Sequence, residues 1–310
     1  MGFFRKLTAL RDKVLKDKTL ISTLYFSMLL YLVMVVWITA VLALSPLFIQ
    51  SSNPLVFGLG VFTYNYGYLL SNCHQLPERS LFLFGGQIPL CARDMGTYVG
   101  CIIGILLPFF ALRIPHFFKS KKFLAFLLLP LVIDGVTQTI FVWRESSNTL
   151  RFVTGVLFGF SLAYYATTRI LSMSDGLVLD KKKLVLKAVL INSLLFLVLL
   201  AMAFPLGSSF TTKDRAVSLT GEIQKPHAVF YVPPRVAQTI HSDPYLKKHD
   251  DTVLNDLYYS IGLRNRNGVW VVAYVSGISM GDSTVYLPES DGVFYYLDAE
   301  SGTLIRKIAH

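Results

Sequence analysis

Residues 21–49 read ISTLYFSMLLYLVMVVWITAVLALSPLFI, a run without a single charge. About 20 apolar residues are enough to cross a bilayer as a helix. The apolar core of a cleavable leader runs to only about 7–15 residues. The run therefore predicts a retained transmembrane helix, and it sets the class of the whole chain. The 310 residues are 53% hydrophobic and 15% charged, with mean hydropathy +0.53. A soluble domain carries roughly 25% charged residues.

Upstream, residues 1–20 are polar and basic, with Arg5, Lys6, Arg11, Lys13, Lys16 and Lys18. The spacing of Phe3, Phe4, Leu7, Leu10 and Val14 fits either an amphipathic interfacial helix or a solvated juxtamembrane tail. Downstream, Asn53-Pro54 ends the run. Residues 54–70 are apolar but short, with Gly58, Gly60 and Gly67 and a polar Tyr64-Asn65-Tyr66. They read as a further span, a re-entrant segment or an interfacial helix. Spans are expected at about residues 95–112, 123–142, 152–170 and 184–204. Gly96, Gly100 and Gly104, and Gly155 and Gly159, repeat every four residues, which lets helices approach closely in a membrane.

Charge chooses the topology, because cytoplasmic loops collect Lys and Arg. If residues 54–70 do not cross, 15 basic residues fall on the cytoplasmic side and four outside. If they cross, Lys119, Lys121, Lys122 and Lys181–Lys183 face outward. The expectation is an α-helical membrane bundle in the cell membrane. It has about five transmembrane helices plus one short re-entrant or interfacial segment, with the N-terminus cytoplasmic. Three regions follow: residues 1–20 basic, 21–206 transmembrane, and 207–310 a small extracytoplasmic α+β domain. Residues 1–206 carry 19 Lys+Arg and 8 Asp+Glu, and residues 207–310 carry 10 and 11. The positive excess thus belongs to membrane loops. It forms no basic stripe interleaved with aromatics, so nucleic acid is not an expected partner; the bilayer is.

In the C-terminal region, Pro205, Pro226, Pro233 and Pro234 break the chain. Residues 241–259 read as a polar helix. Val269–Val275, Val293–Leu297 and Thr303–Ile308 read as strands, the last two joined by the turn Asp298–Gly302. A helix followed by strands around this turn resembles a PepSY-type domain over about 60 residues.

The chemistry-bearing residues lie between the spans. Cys73-His74 and Cys91-Ala92-Arg93-Asp94 offer thiolate, imidazole and carboxylate, all of them zinc ligands. Zinc or another divalent metal is the expected cofactor. A Cys73–Cys91 disulfide and a pair of buried free thiols are the competing readings. Cys101, inside a helix, reads as packing. Asp134 and Gln138 share a helix face, with Asp134 roughly 13 Å inside the span by helical rise. An ionisable group at that depth points to function or to a helix–helix polar clamp. Asp134 and Gln138 are the candidate catalytic pair. In the outer loop, Ser146 or Ser147 caps the next helix. Arg79, Arg93, Arg144, Asn148 and Arg151 form a candidate anion site suited to a phosphate or carboxylate headgroup.

Cys73–Gln75, Pro77–Ser80, Cys91–Arg93, Gly96–Tyr98, Asp134–Gln138 and Arg144–Gly155 together match a pattern. Over about residues 70–172 the chain resembles a family of predicted integral membrane proteins, domain of unknown function 2085. The resemblance implies that these dispersed polar residues belong to one site. Relatives often place a cysteine where this chain has Asp94, so the site here is harder and weaker for thiophilic metals. No activity follows from the resemblance. Three functions are compatible with these residues. One is a membrane enzyme acting on an anionic lipid or isoprenoid phosphate. The second is a transporter or binding protein for an ion or small anion. The third is a non-catalytic metal-stapled scaffold or sensor.

Overall fold

The computed structural model describes residues 18–70, 73, 75, 79–110, 120–139, 146–174, 180–234, 268–275 and 292–309. The expected amphipathic start at residues 3–14 and the expected helix at 241–259 lie outside these residues.

The chain is mostly helical. Each of the six apolar segments forms a helix: α1 Lys18–Phe48, α2 Pro54–Tyr66, α3 Ala92–Phe110, α4 Lys121–Thr139, α5 Asn148–Ser174 and α6 Lys181–Ser209. A short α7, Lys213–Leu219, follows. Among the described residues, three stretches are long and apolar enough to cross a membrane: Lys18–Phe48, Asn148–Ser174 and Lys181–Leu219. Helices α3 and α4 each extend over 19 described residues. The chain divides into two compact units, residues 1–39 with 95–196 and residues 40–94 with 197–310.

In the first unit, the glycine repeat does what its spacing implies. A Cβ on Gly96, Gly100 or Gly104 of α3 would collide with the backbone of α5 at Phe152, Val156 or Phe160. Gly159 of α5 sits equally close to the Thr97 carbonyl. Only hydrogen side chains permit this approach. Cys101 lies on the same seam, its thiol 3.7 Å from the Gly159 carbonyl oxygen, and packs with Tyr25, Met28, Val35 and Ile105. Helices α1 and α6 are joined by a polar clamp. Asn192 Oδ1 accepts from Trp37 Nε1 (3.0 Å), and its amide donates to the Leu30 carbonyl (3.2 Å). Buried polar groups need such partners.

The second unit is built on a four-stranded antiparallel sheet in the order β3 Ala228–Val232, β4 Val269–Val275, β5 Gly292–Asp298, β6 Leu304–Ala309. Strands β4 to β6 fall where β-branched and aromatic residues predict them. Strand β3, hidden between prolines, is an addition to that reading. Central β4 is buried from Val269 to Ala273, so it reads as a continuous apolar run rather than an alternation. Edge strand β6 is mostly exposed and carries Arg306 and Lys307, charges that discourage pairing with another chain. Lys307 Nζ lies 3.4 Å from Glu222, and the Tyr295 hydroxyl donates to the same carboxylate. The Tyr295 hydrogen bond and Lys307 hold that carboxyl below its ordinary range.

Helix α2 packs into the core of this sheet. Phe57, Val61 and Tyr64 cluster with Phe210, Tyr231, Trp270, Val272, Tyr295 and Leu297. Asn53 caps α2, its side-chain oxygen accepting from the Leu55 and Val56 amides at 3.0 and 3.3 Å, with Pro54 at the first helical position. Gly58 and Gly207 let α2 and α6 touch backbone to backbone.

Candidate functional site

Between α2 and α3 the chain forms a hairpin, β1 Ser80–Leu83 and β2 Gly86–Cys91. Leu83 pairs with Gly86, so Phe84-Gly85 is a two-residue turn. Both turn residues have positive φ, 52° and 74°, the conformation that matches the strands' right-handed twist. The Gly85-Gly86 pair after the apolar run Leu81–Phe84 is the sequence signal for it. A bulge between Ser80 and Phe82 brings Ser80 opposite Cys91.

The hairpin delivers Cys91 to the start of α3, with Asp94 in the first helical turn, where a carboxylate is favoured by the helix dipole. Cys73 is seated opposite. Its sulfur accepts from the Cys91 backbone amide at 2.9 Å and the Gln75 amide at 3.4 Å. The ligand atoms of Cys73, Cys91 and Asp94 all lie within 4.8 Å of one another. Cys73 is 3% exposed, and the other two are half-buried. All three cysteines are free thiols, so Cys73 and Cys91 are not disulfide-bonded. The Cys73 thiol sits well above its ordinary range, first through its hydrogen bond with Cys91, then through burial, then through the Cys91 and Asp94 charges. The neighbouring Cys91 and Asp94 charges thus raise the cost of ionising Cys73. A divalent cation would reverse that sign.

Gln75, part of the family pattern but given no role of its own there, positions this cluster. It is fully buried and holds a left-handed φ of 56°, a conformation uncommon outside glycine. Its amide donates to the Tyr64 carbonyl (2.8 Å) and the Pro89 carbonyl (3.0 Å). Gln87 in turn donates to the Gln75 carbonyl (2.7 Å) and to Ser80 Oγ (3.2 Å), and Tyr64 donates to the Gln87 carbonyl. The Gln75 side-chain oxygen is buried without a hydrogen-bond partner among the described residues. Gln75→Ala would strand two buried carbonyls, at about 1–3 kcal/mol each. We expect it to lower the melting temperature and to speed labelling of Cys73 by a thiol reagent roughly tenfold or more as the loop opens. Unchanged labelling would show that Gln75 does not hold Cys73 in place.

Arg79 and Arg93 are half-buried and belong, with the thiol cluster, to the second unit. Asp134, Asn148 and Arg151 belong to the first. There, α4 packs against α5, Asp134 is 2% and Arg151 5% exposed, and Arg151 Nη1 donates to Asn148 Oδ1 at 3.0 Å. Ser147 is the expected cap of α5, its Oγ accepting from the Leu150 amide at 3.2 Å. His74, Arg144 and the Gln138 side chain lie outside the described residues.

A family described as "Predicted membrane protein (DUF2085)" matches residues 73–165. The match spans Cys73, Cys91, Asp94, Asp134, Asn148 and Arg151. An uncharacterized protein of Methanocaldococcus jannaschii is 42% identical over 94 residues, 30% of this chain and 60% of that protein. An uncharacterized protein of Methanothermobacter thermautotrophicus is 41% identical over 93 residues, 29% of this chain and 80% of that protein. No solved structure matches. These comparisons do not show the PepSY-like resemblance of the C-terminal strands. On the length and identity of the second relative's match, the chain belongs to the DUF2085 family of predicted membrane proteins.

Proposed function

We propose that the protein is a metal-dependent integral membrane protein. Cys73, Cys91 and Asp94 hold a divalent, thiophilic cation, zinc being the best match to two sulfurs and a carboxylate. The observation that carries this is the convergence of three ligand atoms within 4.8 Å. Two backbone amides already directed at the Cys73 sulfur support it, because such donors steady a metal-bound thiolate. The fourth position falls to His74, which closes the site, or to a water or substrate oxygen, which makes it catalytic. We favour the open site, with the metal polarising a phosphate oxygen or lowering the pKa of a bound water. Arg79 and Arg93 are the candidate holders of an anionic lipid or isoprenoid phosphate within the same unit. In the first unit, Asp134, Asn148 and Arg151 are a second candidate polar group, with Asp134 as a proton acceptor.

The membrane arrangement proposed is five spans, α1, α3, α4, α5 and α6. Helix α2, 13 residues long, reaches only about 20 Å by helical rise, short of the roughly 30 Å hydrocarbon core. The charge bias puts the N-terminus in the cytoplasm and the sheet outside.

The test is elemental mass spectrometry on the purified full-length protein, prepared with metal-replete medium. About one metal per chain is expected, falling to a small fraction in both Cys73→Ser and Cys91→Ser. A metal-free wild-type protein with three titratable thiols sinks the metal site. If His74→Ala leaves metal bound, the fourth position is open. Metal-dependent release of phosphate from a polyprenyl diphosphate would then separate an enzyme from a scaffold.

A further inference from the structure

A cleft of about 390 Å³ opens in the first unit between the N-terminal ends of α1 and α6. Its walls include Lys18, Thr19 and Ser22 from α1 and Asp180, Lys183 and Lys187 at the start of α6. Among the described residues, three ammonium groups line it against one carboxylate. That carboxylate is engaged, since Asp180 Oδ1 accepts from the Lys183 backbone amide at 3.1 Å and so caps α6.

The arrangement of charge here is unfavourable by itself. Helix α6 opens on Lys181-Lys182-Lys183, with Lys187 one turn on, and its first turn holds no acidic residue. Cations at a helix N-terminus face the positive end of the dipole. An anion in the cleft would answer both this and the mutual repulsion of the lysines. Both helices are long and apolar enough to cross a membrane; in the arrangement proposed above, these ends reach headgroup depth, where basic pockets between helices suit anionic lipids.

We propose that this cleft binds a phosphate group, that of an anionic phospholipid headgroup. Lys18, Lys183 and Lys187 act as point charges, with the Ser22 hydroxyl as a further donor. The site is independent of the metal cluster and of the arginines assigned above. A topology signal would also collect lysines here, but it would need no cleft and would not distinguish one lysine from another. Lys181 and Lys182 carry the same charge on the same helix and do not line the cleft.

Thermal unfolding of the full-length protein in neutral detergent tests this. Wild type, K183Q/K187Q and K181Q/K182Q are titrated with phosphatidylglycerol, phosphatidylcholine and inorganic phosphate. Phosphatidylglycerol should stabilise wild type and K181Q/K182Q with similar apparent affinity, roughly thirty-fold more tightly than K183Q/K187Q. Phosphatidylcholine should do nothing. Inorganic phosphate that saturates and competes would keep the phosphate site and reassign its source to a soluble anion. No phosphatidylglycerol effect on wild type overturns the site, as does equal weakening in the two double variants. If K183Q/K187Q does not fold, K18Q, on the opposite wall, must show the weakening instead.

Discussion

Gly100→Val is expected to disrupt the first unit, at a cost of about 3 kcal/mol or more. At Gly100 a Cβ would overlap the Val156 carbonyl oxygen and come within 2.7 Å of the Phe160 amide. Both are backbone atoms of α5, so no rotamer relieves the clash and the helices must separate. Separation would also break the contacts at Gly96, Gly104 and Gly159, which share the seam. Gly135→Ala is the matched control. Gly135 also lies inside a helix, yet a Cβ there meets nothing within 4 Å. That substitution should stabilise the helix by about 0.5–1 kcal/mol, through lower chain entropy in the unfolded state. Circular-dichroism melts in detergent check both. Equal melting temperatures for the two variants would mean that the α3–α5 seam is not closely packed.

Trp270→Ala should have a comparable effect on the second unit, about 3–5 kcal/mol. Trp270 is 1% exposed near the start of β4 and is one of the largest fully buried side chains. Its ring meets Tyr231 edge-on at 5.5 Å, and Tyr231 meets Tyr64 of α2 in the same way at 5.7 Å. The indole also donates to the Thr211 carbonyl at 2.8 Å. Truncation thus leaves a cavity, an unpaired buried carbonyl and a broken aromatic chain between sheet and helix. Trp270→Phe keeps most of the apolar volume and loses the hydrogen bond, so it should cost only about 1–3 kcal/mol. Limited proteolysis between β3 and β5 reports the loss directly. Faster cleavage is expected in the order wild type, Phe, Ala. An Ala variant as resistant as wild type would remove Trp270 from the core that holds α2 to the sheet.

The family resemblance and the candidate ligands Cys73, Cys91 and Asp94 were legible because these residues stand in a short stretch with recognisable spacing. The hairpin in the same stretch was not anticipated. Phe84 adopts a positive φ that its residue type does not advertise. Gln75 and Gln87 look like ordinary surface amides until their acceptors are known. The grouping of Asp134, Asn148 and Arg151 with the cysteines came from the family pattern. In the structure they belong to separate compact units.

The sequence by itself determined the helices, the glycine seam and three of the four sheet strands. Each follows from a local quantity: apolar length, a repeat of four, or a run of β-branched and aromatic residues. Only the tertiary structure decided that α2 packs on the sheet, and that the second unit begins at residue 40. It alone seated Cys73 beside Cys91 and Asp94. Those outcomes depend on contacts between distant residues. Gln75 bonds carbonyls 11 and 14 positions away, and Tyr231 reaches Asn65 across 166 residues at 2.7 Å. No local pattern encodes such partners, because the energy of a buried hydrogen bond is set by what the fold brings to it.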